Sequence, residues 1–352
     1  MSERPKRPER GTSAEEEVRP VFRAIEEIAA QERTRRAASD VAERIAERDD
    51  AARVVDVKRR LAKTPAALPS PTEIQAKREA YVAEYVPEHL KEARPTVVQR
   101  VVNQATSLFM KLRETFGGWH IDGRDQIPEA GAYLAICNHR GGESGVLMGL
   151  FAKQQMHLVS GEQIHWERNP LRTWLLKKLG MLPVKESLGY LSPEERHALV
   201  ARAHPRARAG YAKVVERDEK ATAGERAVDL RRSVRSIVAC LVRGEPVTVF
   251  PEGLFLYDDS VGMRRGYPLA DAVALEYEHV TGTPLRMLPI AIDQKHVRVG
   301  EVFTTKDLPK VSGVTRTDAV IAQVAQLLPA ERQGYYGPVL EKMNRVSDEP
   351  ED

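Results

Sequence analysis

Apolar positions along this chain change their period near residue 117. Between residues 21 and 63, scattered Ile, Val and Leu recur three or four apart among Ala, Glu and Arg. That is the spacing of a helix face, and it predicts one or two exposed helices. The segment 64–73 carries three prolines and reads as a linker, since proline breaks helix. Thr72 and Glu73 open a further helical stretch to about Ala93. After Pro95, the span from Val97 to Phe116 reads as an amphipathic helix. Val98, Val101, Val102, Ala105, Leu108, Phe109 and Leu112 lie on its apolar side.

Beyond Gly117 and Gly118 the runs shorten and turn residues separate them. Strands are predicted at Trp119–Ile121, Ala132–Cys137, Met156–Ser160, Met181–Lys185, Val247–Phe250, Met287–Ile292 and Val297–Phe303. Between them, Val146–Gln154, Pro170–Leu179, Leu230–Arg243, Leu269–Thr281 and Thr317–Leu328 read as helices, with a highly charged helical insertion at 186–230. Strands alternating with helices of this size predict an α/β layer structure: a central mixed sheet flanked by helices and preceded by a helical N-terminal region. The expected organisation is a disordered tail at 1–20, a helical region at 21–95, an α/β domain at 96–330 and a C-terminal tail at 331–352.

Composition narrows the function classes. The 54 Lys and Arg are nearly matched by 51 Asp and Glu, a balance that argues against a dedicated nucleic-acid binder. A local basic patch facing anionic lipid remains compatible with it. The two cysteines, Cys137 and Cys240, sit in apolar segments with no CxxC spacing, as expected of buried thiols in a reducing compartment. The N-terminal residues show no apolar signal core, and no apolar run reaches the ~18 residues of a membrane span. The expected location is cytoplasmic, with peripheral contact at the inner face of a membrane.

Two motifs carry candidate chemistry. In the first, an apolar strand ends in Ile136-Cys137-Asn138-His139-Arg140-Gly141-Gly142-Glu143-Ser144. Strand-end loops are where α/β proteins place reactive groups. A histidine there can act as a base near neutral pH if one ring nitrogen is free and an acceptor holds the other. Glu143 and Ser144 are the local acceptors; the alternative is a histidine that caps the following helix. In the second, a β-branched strand ends in Phe250-Pro251-Glu252-Gly253. Proline stops the ladder there and glycine allows close backbone approach. A carboxylate held at such a turn can meet a hydroxyl or a cation; alone, the same residues read as a structural turn.

Taken together, and in this order, the two motifs resemble the glycerolipid acyltransferases, which include the lysophosphatidate acyltransferases. The flanks are similar as well: Trp119 to Pro128, Gly161-Glu162 through Gly180 to Lys185, and Leu288 to Ile292. The resemblance covers about residues 97–305. It implies an O-acyltransferase moving a fatty acyl group from acyl-CoA or acyl carrier protein to a hydroxyl acceptor such as a lysophospholipid, with His139 as general base. It implies no metal and no cofactor beyond the thioester co-substrate. The chain departs from the family pattern twice. Ser144 stands where the family has Asp, with Glu143 one residue early. Leu254-Phe255 replaces the Thr-Arg that grips an acceptor phosphate. Lys185, Arg264 and Arg265 are candidate replacement cations, and Asn138, Arg140 and Phe250 to Gly253 are candidate substrate contacts. A catalytically impaired relative acting as a lipid- or protein-binding scaffold is the alternative.

Overall fold

The computed structural model describes residues 70–91, 96–138, 143–152, 154, 156–161, 170–185, 192–202, 205–252 and 262–347. The expected tail and helices before residue 70 lie outside the described residues. Each helix starts where a side chain satisfies its first free amides. Helix α1 (Pro71–Tyr85) follows Ser70, whose hydroxyl accepts from Glu73 N while the Glu73 carboxylate accepts from Ser70 N. Thr96 caps α2 (Val97–Phe116) in the same way through Gln99 N. Helices α3 (Glu143–Leu150), α4 (Pro170–Lys178), α5 (Pro193–Arg202) and α6 (Pro205–Lys220) follow. Then come α7 (Ala223–Val242), α8 (Leu269–Thr281), α9 (Arg316–Ala325), α10 (Ala330–Gln333) and α11 (Gly337–Ser347).

The strands are β1 (His120–Asp122), β2 (Leu134–Cys137), β3 (His157–Gly161), β4 (Leu182–Val184), β5 (Val247–Val249), β6 (Met287–Asp293) and β7 (His296–Val299). They form one seven-stranded mixed sheet in the order β1-β7-β6-β2-β5-β3-β4. All pairings are parallel except the β6–β7 hairpin. Both faces are covered, as a sheet with this much parallel pairing requires. In β2, Leu134 and Ile136 enter a core built with α7, α8, α9 and α11, while Tyr133, Ala135 and Cys137 enter a second core with α2, α3 and β1. The pleat's period of two divides the strand between them.

Two expectations about the ends of the domain need correcting. Helix α1 was assigned to a separate N-terminal region, yet it is packed on α7 and α8. Lys77 and Arg78 donate to the carbonyls of His279 and Thr281, and Tyr81 to Glu276, because the helix presents long polar side chains to the C-terminal end of α8. The compact unit starts at Ser70. The segment after residue 330 was expected to be a tail, yet α10 and α11 fold there, and Tyr336, Leu340 and Met343 are buried in the larger core. Apolar positions spaced three to four apart there signal a docked helix.

Candidate active site

The two motifs leave neighbouring strands at the same edge of the sheet. β2 is central, paired with β6 on one side and β5 on the other. β2 and β5 are parallel, with Ile136 opposite Val249. The chain also reverses direction here. From β2 it crosses to β3 beyond β5, and from β5 it crosses back over β2 to β6. In open α/β sheets this is where strand ends diverge and a crevice opens for a ligand.

Asn138, which ends β2, is fully buried. Its side-chain amide donates to the Ile292 carbonyl at 2.9 Å, and its carbonyl oxygen accepts from Ile292 N at 2.7 Å. The side chain thereby continues the β2–β6 ladder by one rung and anchors the backbone from which His139 departs. Asn138 was expected among the substrate contacts; its amide is engaged with the Ile292 backbone instead. His139 and Arg140 lie outside the described residues. Glu143 and Ser144 lie at the start of α3, with side chains outside them.

At the end of β5, Phe250 packs partly into the smaller core, and Pro251 and Glu252 are buried. The chain returns at residues 262–267, and the two limbs are fastened to each other. Tyr267 N donates to the Pro251 carbonyl at 2.7 Å, and Arg264 N donates to Glu252 Oε2 at 3.1 Å. Gly266 N donates to the buried Tyr336 hydroxyl at 2.8 Å. A Cβ on Gly266 would stand 3.2 Å from Pro251 Cβ and 2.3 Å from Ile321 Cδ1, so the close approach requires glycine. Burial drives the Tyr336 hydroxyl well above its ordinary range, so it stays protonated. The Glu252 carboxylate thus fixes the returning limb. Gly253 and the run Leu254 to Tyr257 lie outside the described residues.

The candidate cations divide. Arg264 and Arg265 sit on the returning limb beside the motif edge, with Arg265 exposed and its guanidinium 5.9 Å from the Tyr335 ring centroid. Lys185 follows β4, three strands from β2, about 14 Å away at sheet spacing. Its ammonium is paired with Asp229 Oδ1 at 2.8 Å. Sequence reading missed Arg332, whose guanidinium lies 3.7 Å from Asp293 at the end of β6. Its carbonyl accepts from Met263 N at 3.0 Å, which holds it against the same limb. Nothing local marks that arginine, because it arrives from a helix more than sixty residues after the motif.

Among the described residues, one group carries metal-type donors: His157, Cys240 and Glu245. It lies at the amino ends of the strands, opposite the motifs. His157 Nδ1 meets the Gly180 carbonyl at 2.6 Å and Nε2 meets Glu245 Oε2 at 3.0 Å, while Arg243 donates to Glu245 Oε1. Burial would raise the Glu245 carboxyl, but hydrogen bonds from His157 and Arg243 outweigh it and hold it low. Burial pushes the Cys240 thiol far up, so it remains a thiol rather than a ligating thiolate. Protein groups already saturate the histidine and the carboxylate, and the arrangement is a structural strut.

A parallel-rich sheet with Asn-His and Phe-Pro-Glu-Gly at adjoining strand ends defines an α/β transferase-type site at the carboxyl edge. Residues 119–267, which carry both motifs, match the protein-family model described as Acyltransferase, and this part of the chain belongs to that family. No curated protein matches the chain. Among solved structures, the 1-acyl-sn-glycerophosphate (LPA) acyltransferase PlsC from Thermotoga maritima is similar at 12% identity. That similarity covers 72% of this chain and 83% of that one, with a TM-score of 0.36.

Proposed function

We propose that the protein transfers a fatty acyl group from an acyl thioester, acyl-CoA or acyl carrier protein, to the hydroxyl of a lipid acceptor such as a lysophospholipid. The observation that carries this reading is the pairing of β2 with β5, which delivers the two family motifs to one crevice edge. His139 takes the proton from the acceptor hydroxyl, and the oxygen attacks the thioester carbonyl. The tetrahedral oxyanion collapses, the carbon–sulfur bond breaks, and the thiolate leaves and takes up the proton. The thioester supplies a good leaving group, so the reaction needs no covalent enzyme intermediate. Glu143 or Ser144 serves as acceptor for the second ring nitrogen. Arg264, Arg265 and Arg332 stand where cations can meet an anionic acceptor or the phosphates of the donor.

The test is acyl transfer from a mass-resolved acyl-CoA pool to lipid extract, wild type against His139→Ala. Transfer lost in the variant supports the reading; equal transfer by both removes it. One observation favours a scaffold instead, namely Ser144 in the place of the family's Asp, since a serine stabilises an imidazolium far less than a carboxylate does. Ser144→Asp distinguishes the two: a scaffold stays inactive, and a weakened enzyme gains rate.

A further inference from the structure

An amphipathic helix on a globular domain ordinarily turns its apolar stripe inward. Helix α2 does the reverse. Its inward side is Gln99 and Met110, each 3% exposed, with Asn103 and Thr106 half-buried. They rest on α3, where a Cβ on Gly149 would stand 2.3 Å from Met110 Cγ and 2.7 Å from the Thr106 carbonyl oxygen. The absent side chain lets the two helices meet backbone to backbone, through a face too polar to be the helix's apolar one. The outward side carries Val97 (66% exposed), Val101, Leu108 (59%), Phe109, Leu112 and Phe116 (83%). At 100° per residue they span about 120° of the helix and run its full length. Helix α4 adjoins it, the Lys178 carbonyl accepting the Thr96 hydroxyl at the α2 cap at 2.6 Å. It exposes Leu171, Trp174 and Leu175, again on one face.

The charges around these rows have one sign. Helices α2 and α4 carry Arg100, Lys111, Arg113, Arg172, Lys177 and Lys178, against a single acid, Glu114, which is paired with Arg124. Among the described residues no helix is long and apolar enough to cross a membrane. An apolar stripe bordered by lysine and arginine, with Trp and Phe among the exposed rings, has the chemistry of a helix lying in a bilayer interface.

We infer that α2 and α4 form the face by which this protein docks, in plane, on an anionic lipid bilayer. The apolar row enters the acyl boundary and the cations meet the phosphates of acidic headgroups. The inference stands on this surface alone and is independent of acyl transfer at the motif edge. Its test is flotation of the full chain with vesicles of phosphatidylcholine, with and without phosphatidylglycerol, beside Trp174 emission. The expected result is binding to the anionic vesicles that weakens with salt, and an emission blue-shift that disappears in Trp174→Phe. Leu108→Glu/Leu112→Glu, with an unchanged circular dichroism spectrum, should bind about tenfold or more weakly. Arg100→Glu/Lys111→Glu should remove the preference for phosphatidylglycerol. Wild type that does not float overturns the inference, and so does floating equally well as the Leu108→Glu/Leu112→Glu variant. A dimer without lipid that this variant disrupts, with no flotation of the wild type, also overturns it and assigns the stripe to a second copy. Acyl transfer between soluble substrates reads the active site separately, so either conclusion can fail without the other.

Discussion

The two edges of the one sheet use buried polar residues in opposite ways. At the amino edge His157, Glu245 and Arg243 satisfy one another and the Gly180 carbonyl, and the network closes on itself. At the carboxyl edge Asn138 and Glu252 are equally buried, but they hold backbone: Ile292 for the one, Arg264 for the other. The first arrangement ties helices and strands together and leaves no group for chemistry. The second stiffens the two strand ends from which the motif loops depart, and leaves His139 as the residue that follows a fixed point. Burial and hydrogen bonding alone therefore do not mark a site; what the bonds are spent on does.

The largest expected effect tests the working edge. His139→Ala should lower acyl transfer by about 10²- to 10⁴-fold, the usual contribution of a general base, with the thermal midpoint unchanged. Next is the clamp beneath it. Asn138→Ala leaves the Ile292 N–H and C=O unpaired in a dry environment, so chemical unfolding should show a loss of about 2–4 kcal/mol, and activity should fall with it. Asn138→Asp keeps an acceptor for Ile292 N but sets an oxygen against the Ile292 carbonyl; it should recover only part of that loss.

A smaller effect tests the opposite edge. Glu245→Gln should cost about 1–3 kcal/mol in urea unfolding, with turnover at neutral pH unaltered. The pH sign follows from the depressed Glu245 carboxyl. Its stabilisation is present above the unfolded value, ~4.3, and is lost as pH falls through the lower folded value. The wild type should therefore lose more stability than Glu245→Gln on acidification across that window, and the two curves should converge below it. If Glu245→Gln instead abolished turnover at neutral pH, the contrast between the edges would be wrong. The smallest effect on the fold belongs to the outer face of α2. Leu108→Glu should shift stability by no more than ~0.5 kcal/mol, because the side chain leaves solvent in neither state.

Much of this was legible in the chain. Helices Val97–Phe116 and Leu269–Thr281 are found at the residues their periodicity and caps predict, and the strands ending in Asn138 and Phe250 occur where short apolar runs meet turn residues. These signals are local, confined to a few residues and their backbone preferences. The partners of the site were not legible. Ile292 lies 154 residues from Asn138, and Arg332 reaches the motif edge only because α10 docks there.

The sequence by itself determined the elements, the family motifs at two strand ends and the amphipathic character of α2, because each depends on neighbours within a turn or a strand. Only the tertiary structure decided strand order, the joining of the motif edges, and which side of α2 faces water. Those outcomes are contests between surfaces for one limited interior. Gly149 settled the last of them by admitting a polar helix face at close range and leaving the apolar one outside.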